Sequence, residues 1–404
     1  MKHLLVIPSG LAEPACAELD GRTPLEVART PALDGLALRG RLGRVVTCPP
    51  PLPVRADIGL LCLLGYDPAL NQAGRGALET WGLGHEVFPG DWVLRLSFLC
   101  VKNGVVSAVS HVRDAEAAAI LGAFASRLRM PGSVIRTGAE GRHLLVQPAL
   151  SGTRYDWDAL VTFAPHEAVG RPLADCMPAG GNLAAVLSDA VGASADFLSA
   201  HEINLTRLEM GELPITHLWP WGQGRLPGLR PLPELLHLRA AMVAEPGLAV
   251  GLARAAGMSA VLPTPNGSPA ALALAAARAL SQSDLVVVRA RVNDTESDGT
   301  GLAATMAGIE SFDRDLLAPL VHQLETIGQP WRILVAPDHL SSSITGRHPA
   351  GAVPFVMAGH RVPHVVDAPF SEASCAQSDL HIQQGHLLME YFLKSGLNPD
   401  SGGY

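Results

Sequence analysis

Residues 333–348 read ILVAPDHLSSSITGRH, an apolar run that passes into Asp338 and His339 and then reaches His348 within one loop. A short β-branched run bounded by polar residues predicts a buried strand. Open α/β sheets bind ligands beyond the carboxyl ends of their strands, and carboxylate and imidazole groups suit zinc or manganese. The stretch therefore predicts an α/β fold with a metal site at the sheet edge. The alternative is a capped strand followed by a surface histidine.

A second apolar run, DLVVVRA at residues 284–290, leads into the acidic sequence NDTESD. Asp294 and Asp298 are four residues apart, so in a helical turn they share one face. They are two further candidate metal ligands. The alternative is an acidic helix start, since carboxylates favour the positive end of the helix dipole.

Strand and helix signals alternate along the chain. Strands are predicted at residues 3–7, 42–47, 92–100, 285–290 and 332–336, and Ala/Leu-rich helices at 234–255 and 269–281. Strands separated by helices predict a doubly wound, mostly parallel sheet covered on both faces.

The order of predicted strands and helices changes between residues 85 and 168. A hairpin around Lys102-Asn103-Gly104, a helix at 114–128 and strands at 133–137 and 143–149 predict a compact α+β insert. We therefore expect a core domain of residues 1–84 and 169–404, with an inserted lid domain at 85–168. The Pro- and Gly-rich residues 219–233 are predicted to be a long connection.

Bulk properties narrow the classes of function. With 404 residues, 48% of them hydrophobic and 17% charged, the chain can bury a large core and a smaller one. The net charge is −8 without a basic run, which argues against a nucleic-acid partner. No apolar stretch has the length of a membrane span. Six scattered cysteines predict reduced thiols and a cytoplasmic location. The oligomeric state stays open.

Several motifs occur in the order of a known family. LLVIPSGLAE begins at residue 4, LDGRTPLEVARTPALDGLALRG at 19 and TCPPPLPVRADIGLLCLLGYDP at 47; Gly74-Arg75-Gly76 and Trp219-Pro220-Trp221-Gly222 follow. Together with the two acidic segments they resemble the archaeal-type cofactor-independent phosphoglycerate mutases of the alkaline phosphatase superfamily. One bacterial branch of that group has been proposed to be a homoserine kinase.

The resemblance implies a reaction and two metal sites. The family moves phosphate between the 2- and 3-hydroxyls of glycerate through an enzyme-bound serine. One metal would be held by Asp294, by Asp298 in place of a histidine, and by His348. The second would be held by Asp338 and His339, by an aspartate at the position of Ser9, and by the nucleophilic serine.

The chain departs from the family at the reacting positions. Ala56 occupies the place of the serine nucleophile, and a methyl group has no oxygen with which to attack phosphorus or bind a metal. Asp57 follows it, and we expect its carboxylate to accept from backbone N–H groups in a tight loop and not to act as a nucleophile. Arg75 and Arg113 lie where the family contacts phosphate or carboxylate, and are the candidate substrate-binding residues.

We therefore expect a phosphoglycerate-mutase-like protein that is impaired in the family reaction. It would bind one divalent metal (manganese, zinc or magnesium) and a small phosphorylated or carboxylated molecule. The alternative is an active enzyme of a different mechanism, in which metal and water handle the phosphoryl group or pass it to an acceptor such as homoserine. A third possibility is that the chain is a subunit that acts through its surface and not through this site.

Overall fold

The computed structural model describes residues 1–71, 74–138, 141–152, 154–264, 267–292 and 301–394. Its contacts divide the chain into two compact units. The first comprises residues 1–72 and 228–404, and the second comprises residues 73–227. In sequence, the second unit is an insertion into the first.

The strands and helices are numbered in chain order. The strands are β1 Lys2–Ser9, β2 Gly40–Val45, β3 Trp92–Lys102, β4 Val105–Val109, β5 Val134–Arg136, β6 His143–Gln147, β7 His217–Gly224, β8 Ala240–Val243, β9 Ser259–Val261, β10 Leu285–Arg291, β11 Trp331–Val335, β12 Val353–Gly359 and β13 His381–Ile382. The α-helices are α1 Pro24–Val27, α2 Pro31–Ala37, α3 Ala56–Leu63, α4 Arg75–Gly82, α5 Asp114–Phe124, α6 Pro165–Ala168, α7 Gly181–Ser199, α8 Glu202–Glu209, α9 Leu232–Leu236, α10 Leu248–Ala255, α11 Pro269–Gln282, α12 Gly301–Ser311, α13 Ala318–Thr326, α14 Glu372–Gln377 and α15 Leu387–Lys394.

The first unit is built on a mixed, mostly parallel sheet. Its described strands run in the order β13-β2-β12-β11-β1-β10-β8-β9. β1 pairs in parallel with both β10 and β11, and among the described strands of this sheet only the pairings of β12 with β11 and β2 are antiparallel. The prediction of an α/β fold with a mostly parallel sheet is confirmed.

Strand β1 shows why the sheet is covered on both faces. Leu4 and Val6 lie in the core cluster that also contains residues of α11 and α13. Leu5 and Ile7 point to the other face, since side chains alternate along a strand, and they too are fully buried. A strand buried on both faces reads as a continuous apolar run, as in parallel sheets generally.

The predicted helix at 234–255 is wrong. The segment instead contains α9, the short strand β8 and α10. β8 is fully buried and pairs in parallel with β10, so tertiary burial overrides the helical preference of its alanines. Pro246 and Gly247 then separate the strand from α10, and Gly247 has a φ of 130° at the start of that helix.

The inserted unit contains an antiparallel sheet in the order β4-β3-β6-β5, with β7 also paired to β3. The predicted hairpin is confirmed, since Asn103 and Gly104 both adopt positive φ in the turn between β3 and β4. The helix predicted at 114–128 is α5 followed by a 3₁₀ turn at Ala125–Arg127.

The boundaries of the inserted unit differ from those predicted. Residues 217–224 form β7, which pairs with β3, so the segment predicted to be a connection begins as a strand. Leu183 and Leu187 of α7 share a core cluster with Leu218 of β7. The unit therefore extends well beyond residue 168, and its last strand lies far from the others in sequence.

The C-terminal helix α15 is fixed by a buried arginine. Arg332 on β11 donates to the carbonyl oxygens of Phe392 at 2.9 Å, Leu393 at 3.0 Å and His360 at 2.8 Å. The last carbonyl groups of a helix lack partners inside the helix, and a cation there also faces the negative end of its dipole. Arg332 thus holds the end of α15 against the sheet.

All six cysteines are free thiols. Among the described residues, no single helix is long and apolar enough to span a membrane; α7 and α8, bent by 60° between them, meet that standard of length and composition only as a pair.

Candidate functional site

The candidate site lies at the carboxyl edge of three neighbouring parallel strands. β1 ends at Ser9, which lies opposite Arg291 of β10, while Val6 lies opposite Val335 at the end of β11. Because these strands run in the same direction, the residues that end or follow them meet at one edge of the sheet. This brings Ser9, the end of β10 and the Asp338 loop together.

Asp338 is the centre of this cluster and is fully buried. Its Oδ2 accepts a hydrogen bond from Ser9 Oγ at 2.7 Å and lies 3.6 Å from Nη2 of Arg289. Its Oδ1 has no hydrogen-bond partner among the described residues. Burial alone would raise the pKa of this carboxyl, but His339, Arg289 and the Ser9 hydroxyl together hold it below its usual value. Asp338 is therefore an anion.

The two histidines lie beside that anion. His339 Nε2 is 4.0 Å from Asp338 Oδ1, and its Nδ1 is 3.0 Å from the Leu340 carbonyl oxygen. A carbonyl at Nδ1 selects the tautomer that leaves Nε2 as the acceptor. The rings of His339 and His348 have centroids 4.2 Å apart. The predicted residues Asp338, His339 and His348 thus lie together.

A second carboxylate, that of Glu13, fixes the loop after Asp338. Glu13 Oε2 accepts from both the backbone N–H of Ser343 at 2.8 Å and its Oγ at 2.9 Å. Ser341 N donates to the Ala12 carbonyl at 3.0 Å. Glu13 is therefore a loop anchor. The run of three serines was the sequence signal, since short hydroxyl side chains commonly bond to neighbouring loops.

Glu372 holds the segment that contains Glu13. It accepts from the Thr23 hydroxyl at 2.7 Å and from the backbone N–H of Glu13 at 3.3 Å. Burial raises the pKa of Glu372 to about 7, and these hydrogen bonds only partly counter that rise. Nothing in the sequence near Glu372 indicated this contact.

Ala56 lies on α3, the helix that packs against Asp338. It is the first residue of α3 and is buried. One turn later, a Cβ on Gly59 would lie 1.9 Å from the carbonyl oxygen of Asp338, so only glycine permits this approach. The start of α3 is thus packed directly against the Asp338 backbone. The methyl group of Ala56 offers no oxygen there.

Asp57 differs from its prediction. Its carboxylate, fully buried, accepts from Arg55 Nε at 3.1 Å and Nη2 at 2.9 Å, where backbone N–H groups had been predicted as donors. The pair forms because an arginine two residues earlier extends back over the first turn of α3. A bidentate ion pair occupies both carboxylate oxygens. Asp57 is therefore poorly placed to attack phosphorus.

The described residues hold only part of the predicted metal ligands. Asp294 and Asp298 lie outside the described residues. Within the described ranges, no group of three or more His, Cys, Asp or Glu residues converges as metal ligands do. Asp338 Oδ1 and the nearby imidazole are suitable donors, but Asp338 Oδ2 faces the neutral Ser9 and the cationic Arg289. No second carboxylate completes the set at Asp338 among the described residues.

Arg75 lies in the inserted unit and is buried in an ion-pair cluster. Its Nε donates to Glu79 at 2.7 Å, and Arg95 donates to the other oxygen of the same carboxylate. Both guanidinium groups lie over the Trp221 ring, 5.1 and 5.2 Å from its centroid. Trp221 donates to Ser97 Oγ at 2.9 Å. In this arrangement Arg75 stabilises the unit, and its predicted substrate contact stays a prediction.

Arg113 is an exposed residue at the start of α5. Its Nε donates to Glu116 at 2.8 Å, and Glu116 also faces the buried Arg207 at 3.4 Å. Arg207 pairs in turn with Glu212 at 3.0 Å. Arg113 is the exposed arginine of this cluster, and its role in binding substrate likewise stays a prediction.

Comparison with known proteins agrees with this architecture. The family model described as 2,3-bisphosphoglycerate-independent phosphoglycerate mutase matches residues 37–204. The enzyme of that name from Methanothrix thermoacetophila is 30% identical over 97% of this chain and 100% of its own length. A second, from Methanothermobacter thermautotrophicus, is 30% identical over 97% of each chain.

Solved structures give the same result. A protein of Pyrococcus horikoshii superposes with a TM-score of 0.74 at 25% identity, over 100% of this chain and 98% of its own. The cofactor-independent phosphoglycerate mutase of Thermoplasma acidophilum has a TM-score of 0.59 at 25% identity, over 98% and 100%. Sequence similarity along nearly the whole chain and the shared fold lead to one conclusion: the chain belongs to the 2,3-bisphosphoglycerate-independent phosphoglycerate mutase family.

Proposed function

We propose that this chain binds a small phosphorylated or carboxylated molecule and is impaired in the phosphoglycerate mutase reaction. The observation that carries the proposal is Ala56, whose methyl group stands at the start of α3 where that helix packs against Asp338. In the family reaction a serine oxygen attacks phosphorus, the bond from phosphorus to the glycerate oxygen breaks, and the phosphoryl group later moves to the other hydroxyl. An alanine cannot form the phosphoester.

The neighbouring groups support this proposal. Asp57 is held in its ion pair with Arg55, so it does not replace the missing serine. Removing the serine nucleophile from a serine protease lowers kcat by about 10⁶-fold. We expect a loss of at least that size, since the metal ligand set at Asp338 is changed as well.

One divalent metal completes the proposal. Asp294, Asp298 and His348 are its proposed ligands, with Asp338 and His339 beside them. Carboxylate oxygens in place of an imidazole favour magnesium or manganese over zinc. When bound, the ion would supply positive charge for an anionic ligand. We propose a cytoplasmic location, in keeping with the free thiols.

The test is turnover of 3-phosphoglycerate, followed by phosphorus NMR with manganese present. We expect no conversion above the blank, but a rise in melting temperature on adding 2- or 3-phosphoglycerate. Asp338→Asn is the control, because trace contamination by another mutase would leave activity unchanged in this variant. Conversion that survives purification and disappears in Asp338→Asn contradicts the proposal.

A second candidate is an active phosphotransferase that uses Ser9. The specific observation is the 2.7 Å hydrogen bond from Ser9 Oγ to the buried Asp338 carboxylate, the arrangement of a nucleophile beside a base. Attack by Ser9 would transfer its proton to Asp338 and release the glycerate alkoxide. Mass spectrometry of the chain after incubation with phosphoglycerate distinguishes the two candidates. A phosphate on Ser9 that is lost in Ser9→Ala supports the enzyme, and an unmodified chain supports impairment.

A further inference from the structure

Arg289 is the residue at the sheet edge that neither the family chemistry nor the proposed function uses. It lies on β10, beside β1, and its Nη2 is 3.6 Å from Asp338 Oδ2. The same oxygen accepts from Ser9 at 2.7 Å. One carboxylate oxygen therefore already faces a hydroxyl donor and a guanidinium.

The charges at this place cancel without a metal. A guanidinium remains protonated at every accessible pH, so it contributes a fixed positive charge. Asp338 contributes one negative charge, which lies 3.6 Å from that guanidinium, and the Ser9 hydroxyl contributes none. A divalent cation at Asp338 would have to bind one carboxylate beside a fixed cation, which opposes it by like-charge repulsion.

Arg289 also keeps hydrogen-bonding capacity. Its Nε is buried and has no hydrogen-bond partner among the described residues, although the side chain as a whole is 19% exposed. A buried donor of this kind is usually satisfied, and an anionic oxygen would satisfy it best. Phosphate and carboxylate both match the geometry of a guanidinium.

We propose that Arg289 takes the electrostatic place of a divalent ion at Asp338, so that this part of the sheet edge excludes metal and binds the anionic part of the ligand. The inference rests on the proposed function for the kind of ligand bound. It adds that Arg289 holds the ligand at Asp338. It also adds that the protein without ligand binds at most one metal, at Asp294, Asp298 and His348.

The experiment counts manganese bound per chain after equilibrium dialysis, beginning with the unchanged protein. We expect at most one ion. Ser9→Asp alone is expected to add none, because the new carboxylate would pair with Arg289. Ser9→Asp combined with Arg289→Met is expected to add one ion per chain, since two carboxylates then face each other without the guanidinium.

The matched control is Ser9→Asp with Arg291→Met. Arg291 lies two residues further along the same strand but pairs with Glu245, so this variant should add no ion. Two ions on the unchanged protein, an added ion with Ser9→Asp alone, or an added ion in the control would each overturn the proposal. No added ion in folded Ser9→Asp/Arg289→Met, as judged by circular dichroism, would also overturn it.

A second measurement remains usable if that double variant does not fold. Binding of inorganic phosphate, measured by calorimetry, should weaken at least tenfold in Arg289→Gln and be largely kept in Arg289→Lys. Equal binding in the unchanged protein and Arg289→Gln contradicts the inference. Neither metal count nor phosphate affinity depends on mutase turnover, so failure here is distinguishable from failure of the proposed function.

Discussion

Replacing Gly59 by alanine tests the packing that places Ala56 at the site. The added Cβ would lie 1.9 Å from the Asp338 carbonyl oxygen, whereas ordinary contact begins at 3.4 Å, so the two backbones must separate by about 1.5 Å. No side-chain rotation relieves the contact, because both partners are backbone. Overpacking of this kind costs about 3 kcal/mol, at the upper end of its usual range, and the helix preference of alanine returns about 1 kcal/mol.

The net loss is therefore about 2 kcal/mol, or a fall in melting temperature of about 4–8 °C by differential scanning fluorimetry. Gly35→Ala is the matched control. Gly35 lies within α2 of the same unit, and its added Cβ would meet nothing within 4 Å. That variant should melt about 1–4 °C higher. If Gly59→Ala melts as high as the unchanged protein while Gly35→Ala behaves as expected, α3 does not contact Asp338, and the reasoning about Ala56 fails.

Three further predictions concern the same unit. Arg332→Met should lower the free energy of unfolding by about 2–4 kcal/mol, because buried helix-end carbonyls lose a charged donor. Urea unfolding measures this loss, and an unchanged midpoint would contradict the helix-end role. The pKa of Glu372 is raised to about 7, so its contribution to stability falls as the pH rises from about 4.5 to 7. Melting temperatures measured across that range should show this fall, and the variant Glu372→Gln should lack it. Adding Arg289→Met to the pair Ala56→Ser and Ser9→Asp should give measurable manganese-dependent hydrolysis of p-nitrophenyl phosphate, whereas the pair alone should not; equal activity would argue against the role given to Arg289.

The sequence predicted the parts of the fold whose signal is local. β1, β10 and β11 each contain a run of apolar residues, and the sheet edge where they end follows from their parallel order. Asp338 lies three residues after the end of β11, with His339 next to it, so their place at that edge was predictable. The short strand β8 was not, because its four residues, AAMV, lie in an Ala-rich region and carry no periodicity that separates strand from helix.

The missed features of the site depend on which strands are neighbours. Arg289 and Asp338 lie on segments far apart in sequence, and their contact arises because β10 and the strand before Asp338 both pair with β1. Without the strand order, Arg289 reads as a polar interruption of a strand. The contacts of Arg332 and Glu372 were hidden for the same reason, since each partner is supplied by a distant element.

The charges at the sheet edge stabilise the buried carboxylate of Asp338. A fully buried carboxylate without a cation is costly, and breaking a buried ion pair typically costs about 3–5 kcal/mol. If a metal no longer binds at Asp338, the carboxylate needs another partner, and Arg289 together with Ser9 supplies it. The same two residues stabilise the folded chain, and Arg289 gives the sheet edge a fixed positive charge for an anionic ligand. If Ala56 removes the attacking oxygen, as proposed, a site with this balance of charge is suited to binding an anion, and a binding role is favoured over loss of all function.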